Sequence, residues 1–313
     1  MAERFLVTGA AGFLGAHVVR RLVGRGDDVV ALVRPESDLW RLDDLRRDAD
    51  VREVDLAVGA VAAVKHVDRV IHLAAAGVTA AVGDEAMVLT NVLGTLRALE
   101  LARASEAGAF LYCGSCFEYG PGEGHKEGEP PSPISAYGAS KTGGWLLAQA
   151  FGRQHRLHIT GVRPFTVYGP YEAATRLIPS ICLSAARGEP VELTAGTQTR
   201  DFVFVDDAVD AILLASTSPA PRTFNVCSGS PVAVRTVAEQ LVTLAGRDVE
   251  LRFGALPPRP VEFPVLSGDP TQAREVLGWT ATTSLREGLR RTFEWFEDRL
   301  STGTPVHAGR MTR

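Results

Sequence analysis

Cysteine is scarce in this chain. Cys113, Cys116, Cys182 and Cys227 are the only four in 313 residues, too few and too scattered for a disulfide framework. Cys113 and Cys116 form a C-x-x-C, a spacing shared by redox and zinc sites, but no second ligand pair follows at metal spacing, so no metal is expected. Excess charge is lacking too: 33 Lys and Arg against 37 Asp and Glu give a formal net charge of −4. Without a basic stripe the chain gives no reason to expect nucleic acid as a partner. No apolar run reaches transmembrane length, and Met1-Ala-Glu-Arg leads straight into a predicted strand with no signal-peptide pattern. A cytoplasmic protein with no membrane partner is therefore expected. No internal repeat is present. What remains is a chain that is 45% hydrophobic, long enough for one large α/β domain or a domain plus an appendage.

Glycine, by contrast, is placed with purpose. The stretch Thr8 to Gly15 reads T-G-A-A-G-F-L-G, after the apolar run Phe5-Leu6-Val7 and before a helical pattern of Phe13, Leu14, Val18, Val19 and Leu22. Glycines at 9, 12 and 15 let the backbone turn tightly and approach a ligand with no Cβ in the way. A helix opening at Gly12 aims unpaired N–H groups and a positive dipole end at that ligand, which suits a pyrophosphate. A second predicted strand, Val29 to Val33, ends in Arg34-Pro35, where the adenosine ribose falls in a dinucleotide-binding βαβ unit. An acidic residue there would favour NAD. Here a guanidinium stands ready for a 2′-phosphate and no carboxylate opposes one, so NADP is expected, with a merely solvated surface arginine as the other reading.

Strands and helices then alternate. A charged helical stretch spans Leu39 to Arg47, a third strand Val51 to Val54, and Asp55-Leu56 follows it, with the Asp55 carboxylate placed to accept from an adenine amino group. The fourth strand, Val70 to Leu73, runs into Ala74-Ala75-Ala76-Gly77, small residues against which a flat cofactor can lie. His72 reads as a packed strand-end histidine rather than a catalyst. A long helix from Asp84 to Glu106 contains Asn91, which is no propensity choice and either satisfies a local polar group or braces an active site. The fifth strand, Ala109 to Cys113, ends in G-S-C-F-E-Y-G, and a Gly- and Pro-rich loop from Pro121 to Pro133 leads to helix Tyr137 to His155 and strand Ile159 to Val162. This alternation predicts a doubly wound parallel α/β sheet covered on both faces. Residues 1–168 are read as the dinucleotide-binding domain, its last elements completed from 200–226. Residues 169–300 are read as a smaller C-terminal α/β substrate region, and 301–313 as a frayed tail.

Tyr137 and Lys141 sit four apart at a helix start and so share a face. A phenol with an ordinary pKa near ~10 exchanges protons poorly at neutral pH, and a neighbouring ammonium is expected to pull that value down. Ser115, at the fifth strand end, could hold a substrate oxygen beside the phenol. The three together suit carbinol/carbonyl interconversion.

With these residues in view, the chain resembles the extended short-chain dehydrogenase/reductases, specifically the NAD-dependent epimerase/dehydratase family acting on nucleotide sugars. The likeness covers nearly the whole chain: T-G-A-A-G-F-L-G at Thr8, D-L at Asp55, H-L-A-A at His72, N-V-L-G-T at Asn91, Y-G-A-S-K at Tyr137, R-P-F-T-V-Y-G-P at Arg163, T-R-D-F-V-F-V-D-D at Thr199 and L-G-W at Leu277. It implies a Rossmann domain and a catalytic set of Ser115, Tyr137 and Lys141 supported by Asn91. The cofactor is expected on Gly9, Gly12, Phe13, Leu14 and Gly15 at the pyrophosphate, and on Arg34, Asp55 and Leu56 at the adenosine. Leu73, Ala74, Ala75, Pro164, Tyr137 and Lys141 are expected around the nicotinamide. A nucleotide-diphosphate sugar is expected on Cys116, Phe117, Arg200 and Arg259. The resemblance further implies a homodimer through the helices near Leu93 and Trp145.

Three departures narrow the choice. Val33-Arg34 replaces the NAD-type acid. Phe117 stands where 4,6-dehydratases carry an acidic residue, and Glu118 falls one step later, on the opposite face if the segment is extended. The loop between His72 and Asn91 looks shorter than in UDP-galactose 4-epimerase-like proteins and lacks their lysine. Together they favour an NADP-dependent 4-ketoreductase of a nucleotide-linked 4-keto-6-deoxysugar, with an NAD-retaining 4-epimerase as the alternative. A 4,6-dehydratase or a non-catalytic NADP-sensing protein ranks below both.

Overall fold

The computed structural model describes residues 2–59, 62–77, 82–258 and 261–307. Seven parallel strands form the central sheet: β1 (Arg4–Thr8), β2 (Asp28–Val33), β3 (Asp50–Glu53), β4 (Arg69–His72), β5 (Ala109–Cys113), His158–Pro164 and Thr223–Val226. Their spatial order runs from Thr223–Val226 through His158–Pro164 to β5, β4, β1, β2 and β3. β1 therefore lies between β2 and β4, and the winding reverses beside it. Ligands of open α/β sheets bind at the carboxyl ends of strands at such a reversal. Phe5, Leu6 and Val7 are fully buried because β1 is covered on both faces, which explains its unbroken apolar run.

Helix α1 (Phe13–Gly24) buries Ala16, Val18, Val19 and Leu22 on the sheet. The long helix expected over 84–106 forms as α2 (Asp84–Val88), a π-helical turn at Leu89–Leu93, and α3 (Gly94–Ala104). The π turn contains Asn91, and such insertions cluster at functional sites. Helix α4 (Ala136–His155) is capped by the Ser135 hydroxyl on the Gly138 N–H.

The C-terminal part adds a four-stranded sheet ordered Val232–Ala233, Thr199–Arg200, Val265–Gly268 and Gly122–His125. Gly122–His125 lies within the stretch expected to be only a loop, because its few residues acquire a ladder only when the distant Val265–Gly268 arrives. One continuous apolar cluster joins Phe5 and Ala31 of the central sheet to Phe204, Val237 and Phe296 of the C-terminal part. The fraying expected from Ser301 does not begin there. The last helix (Leu285–Ser301) is followed by a segment whose His307 stacks on Trp40 at 4.8 Å. Its Nδ1 lies 2.8 Å from Asp38 Oδ2, and its carbonyl accepts from the Ala174 N–H at 3.1 Å. Among the described residues no helix is long and apolar enough to cross a membrane.

Candidate active site

The glycine loop closes the carboxyl end of β1. Gly9 has φ +69°, and a Cβ there would stand 2.6 Å from the Ala74 nitrogen. A Cβ on Gly15 would stand 2.1 Å from the Gly9 carbonyl. Both contacts are impossible, so the loop, α1 and the β4 end pack backbone to backbone. Helix α1 starts at Gly12 with no side-chain cap and no acidic residue in its first turn, leaving its leading N–H groups for an anion. These features fit a dinucleotide pyrophosphate. Phe13, Leu14 and Leu73 are partly buried against the core around this loop.

At the β2 end Val33 is buried and Arg34 is exposed at the sheet's carboxyl edge. Asp55 accepts from the Ala57 N–H at 2.8 Å, closing an Asx turn, while Leu56 is buried beneath it. Ala74 donates its N–H to the Thr8 hydroxyl at 3.2 Å, which fixes the Ala74–Ala75 segment against β1. Pro164 and Arg163 end the strand beside β5.

Ser115 stands just past β5 and caps the short 3₁₀ turn Cys116–Glu118. Its hydroxyl accepts from the Phe117 N–H at 3.3 Å, and Glu118 Oε1 accepts from the Ser115 N–H at 2.8 Å, completing a capping box. The segment is thus helical rather than extended, and this corrects the face assigned to Glu118. Its side chain is fully buried and its Oε2 takes the Arg163 Nε at 2.9 Å. Arg163 in turn donates to the Tyr119 hydroxyl at 2.9 Å, and Tyr119 donates to Asn225 Oδ1 at 2.7 Å. Sequence reading missed this network, whose members lie at 118, 119, 163 and 225 and meet only through the sheet.

Tyr137 and Lys141 share the first turns of α4 as expected. Lys141 is buried, with Nζ 4.8 Å from the centre of the Tyr112 ring, and Tyr112 donates its hydroxyl to the Lys141 carbonyl at 2.8 Å. Burial pulls the ammonium pKa down, opposed by the nearby Cys113 and Glu118. The expected depression of the Tyr137 pKa is not found. Burial pushes it up, Cys113 adds to the rise, and the hydrogen bond with Ser115 opposes it. The Lys141 ammonium lies over the face of Tyr112. Tyr137 is therefore a protonated phenol at neutral pH, held edge-on by Phe117 at 5.9 Å.

Asn91 does not reach Lys141 through any direct hydrogen bond found among the described residues. Its Oδ1 accepts from the Ala76 N–H at 2.7 Å and its Nδ2 donates to the Ser140 hydroxyl at 2.9 Å, so it braces the residue next to the lysine. His72 is the packed residue expected: fully buried between Thr8 and Thr95, its pKa is lowered to about 3 by burial and by the Lys141 charge.

Cys116 is brought beside Ser115 and is buried, packing among Tyr119, Phe165, Cys227, Phe263 and Leu266. Burial raises its thiol to about 12 and that of Cys113 to about 11, so neither is reactive. No cluster of metal-ligating side chains exists among the described residues. Phe117 packs edge-on against Phe263 at 4.8 Å. Arg200 pairs with Glu262 at 2.6 Å and donates to the Phe263 carbonyl at 2.5 Å, so its guanidinium is anchored to the segment after Arg259. Arg259 itself lies outside the described residues.

The family model for the NAD-dependent epimerase/dehydratase family matches residues 5–227. The chain belongs to that family. Curated members include a UDP-glucose 4-epimerase of Mycolicibacterium smegmatis, 34% identical over 95% of this chain and 99% of that protein. Another is a dTDP-4-dehydro-6-deoxy-D-allose reductase of Streptomyces bikiniensis, 32% identical over 93% of this chain and 95% of that protein. Among solved structures, the Thermotoga maritima UDP-glucose 4-epimerase with UDP-glucose superposes with a TM-score of 0.86 at 30% identity, covering 95% of this chain and 99% of that one. The relatives found include nucleotide-sugar epimerases, a dehydratase and a reductase, and the doubly wound fold of this chain is shared with solved epimerases of the family.

Proposed function

We propose that the protein reduces a keto carbon, C4, of a nucleotide-activated 4-keto-6-deoxysugar. The observation that carries this reading is the end of β2, where buried Val33 and exposed Arg34 replace the carboxylate that would select NAD. NADPH, held by the glycine loop and Arg34, supplies the hydride. Tyr137 gives its proton to the alkoxide that forms, and Ser115, bonded to the phenol, holds the carbonyl oxygen in reach. A buried phenol that keeps its proton at neutral pH suits the donor role in the reductive direction. Two further observations support it. Glu118 is buried in an ion pair and Phe117 is apolar, so neither offers the carboxylate a dehydratase needs. A member of the family that is 32% identical is named a reductase of a 4-dehydro-6-deoxy sugar.

Arg34→Asp lowers the NADPH-to-NADH ratio of kcat/KM about tenfold or more, since it removes a charge-assisted phosphate contact and adds a repelling one. Steady-state kinetics with both coenzymes check this, and an unchanged ratio removes Arg34 from the assignment. The reaction itself is tested by NADPH oxidation with nucleotide-linked 4-keto-6-deoxyhexoses. The 34% identity to a UDP-glucose 4-epimerase supports the second reading. Purified protein that carries tightly bound NAD and interconverts C4 epimers without added reductant establishes it instead.

The assembly proposed is a homodimer through α2, α3 and α4. Trp145 faces inward onto Tyr112, whereas Val88 and Leu146 are 52% and 54% exposed. These two, with Leu89, form the apolar side available to a second copy.

A further inference from the structure

A file of hydrogen bonds, in two runs joined through the covalent frame of Asn91, links the strand carrying the glycine loop to the turn carrying Tyr137. Its members are buried: Thr8, His72 and Thr95 fully, Asn91 and Ser140 nearly so. A hydroxyl has one proton to give, so the direction of each link can be counted. Ser140 gives its proton to the Tyr137 carbonyl at 2.8 Å and therefore accepts from Asn91 Nδ2 at 2.9 Å. Thr95 gives its proton to the Asn91 carbonyl at 2.7 Å and therefore accepts from His72 Nε2 at 3.0 Å. The imidazole proton is thus on Nε2, and Nδ1 accepts from the Thr8 hydroxyl at 2.8 Å, whose oxygen takes the Ala74 N–H. Every proton points the same way.

We propose that His72, with Thr8 and Thr95, is a positioning residue of the reaction: locked as the Nε2–H imidazole, it fixes the glycine-loop strand and the Tyr137–Lys141 turn in one register. With its only proton on Nδ1, the ring would set the bare Nε2 lone pair against a Thr95 oxygen whose own proton is given to Asn91, and a cation there would oppose Lys141, so the ring has one state compatible with the file. Its far end is held at close quarters. A Cβ on Gly144 of α4 would stand 2.4 Å from the Asn91 carbonyl and 3.2 Å from Thr95 Oγ1. Helix α4 and the π turn therefore touch through backbone, and a displacement of Thr95 or Asn91 passes directly to the helix that bears both catalytic groups.

Two measurements test the proposal, which leans on the proposed reaction only for its choice of assay. Nitrogen-15 NMR of histidine-labelled protein, assigned with His72→Phe, shows a neutral Nε2–H ring that does not titrate from about pH 5 to about pH 8. The Nδ1–H tautomer, or a ring that titrates in that range, overturns the file. In kinetics, Thr95→Val lowers kcat about tenfold or more while KM and coenzyme Kd stay put, and Thr95→Ser restores it. A Thr95→Val protein with lowered Tm but unchanged kcat reduces the file to packing and overturns its positioning role. If the wild-type protein isomerises rather than reduces, the same ratios are read in the epimerase assay. Failure of the reductase reading thus stays distinct from failure of this one.

Discussion

Tyr137→Phe lowers kcat by about 10²- to 10⁴-fold, the range over which a positioned general acid contributes. The substitution keeps the ring that meets Phe117 edge-on at 5.9 Å and removes only the hydroxyl bonded to Ser115. Tm and coenzyme affinity should hold, because the ring and its packing against Phe117 are kept and no charge is stranded. Single-turnover kinetics with reduced coenzyme measure the loss. Retention of full activity would sink the catalytic assignment and return the non-catalytic NADP-sensing reading. The pH profile carries a sign as well. Burial raises the Tyr137 pKa, so the free protein keeps its proton donor through neutrality and loses it only in alkali. Reductive kcat/KM should accordingly not decline as pH rises through 7 to 8.

Glu118→Ala is expected to cost about 3 to 5 kcal/mol of stability, since it strands a buried guanidinium. Glu118 and Arg163 have side chains 1% and 4% exposed, and the carboxylate also receives the Ser115 N–H. Its removal would undo the capping box at the turn that presents Ser115, so activity should fall together with Tm. Chemical denaturation checks the stability term. A protein of normal stability that has lost only dehydratase-type proton exchange would make Glu118 a base after all. The double replacement Glu118→Gln, Arg163→Met should recover a large part of the stability, because neutral partners leave no unpaired charge.

The sheet was legible in the sequence because each parallel strand is covered on both faces and reads as a short unbroken apolar run. Phe5 to Val7, Val29 to Val33 and Ala109 to Cys113 are such runs, punctuated by glycine, Asp or Pro. Ser115, Tyr137 and Lys141 were legible because one loop and one helical turn place them. The Glu118–Arg163–Tyr119–Asn225 network was not, since its partners are 44 to 106 residues apart and no local pattern links them. The seat of Lys141 was also hidden: spacing puts it near Tyr137, but its ammonium lies over the ring of Tyr112, 29 residues earlier. The π turn at Leu89–Leu93 escaped notice because Asn91 marks the place as unusual but no residue pattern distinguishes a π insertion from an α-helical turn.

The stack of His307 on Trp40, with its link to Asp38, gives the coenzyme question a second address. Asp38 lies four residues after Arg34, in the loop that leaves β2. A charge that discriminates between two coenzymes does so only if its loop stays put, and this loop is tethered by a residue more than 260 positions away in sequence. If Arg34 selects the coenzyme as proposed, a choice written near one end of the chain is steadied from near the other. Fusions or truncations close to residue 307 belong among the variables to hold fixed when coenzyme preference is compared between preparations.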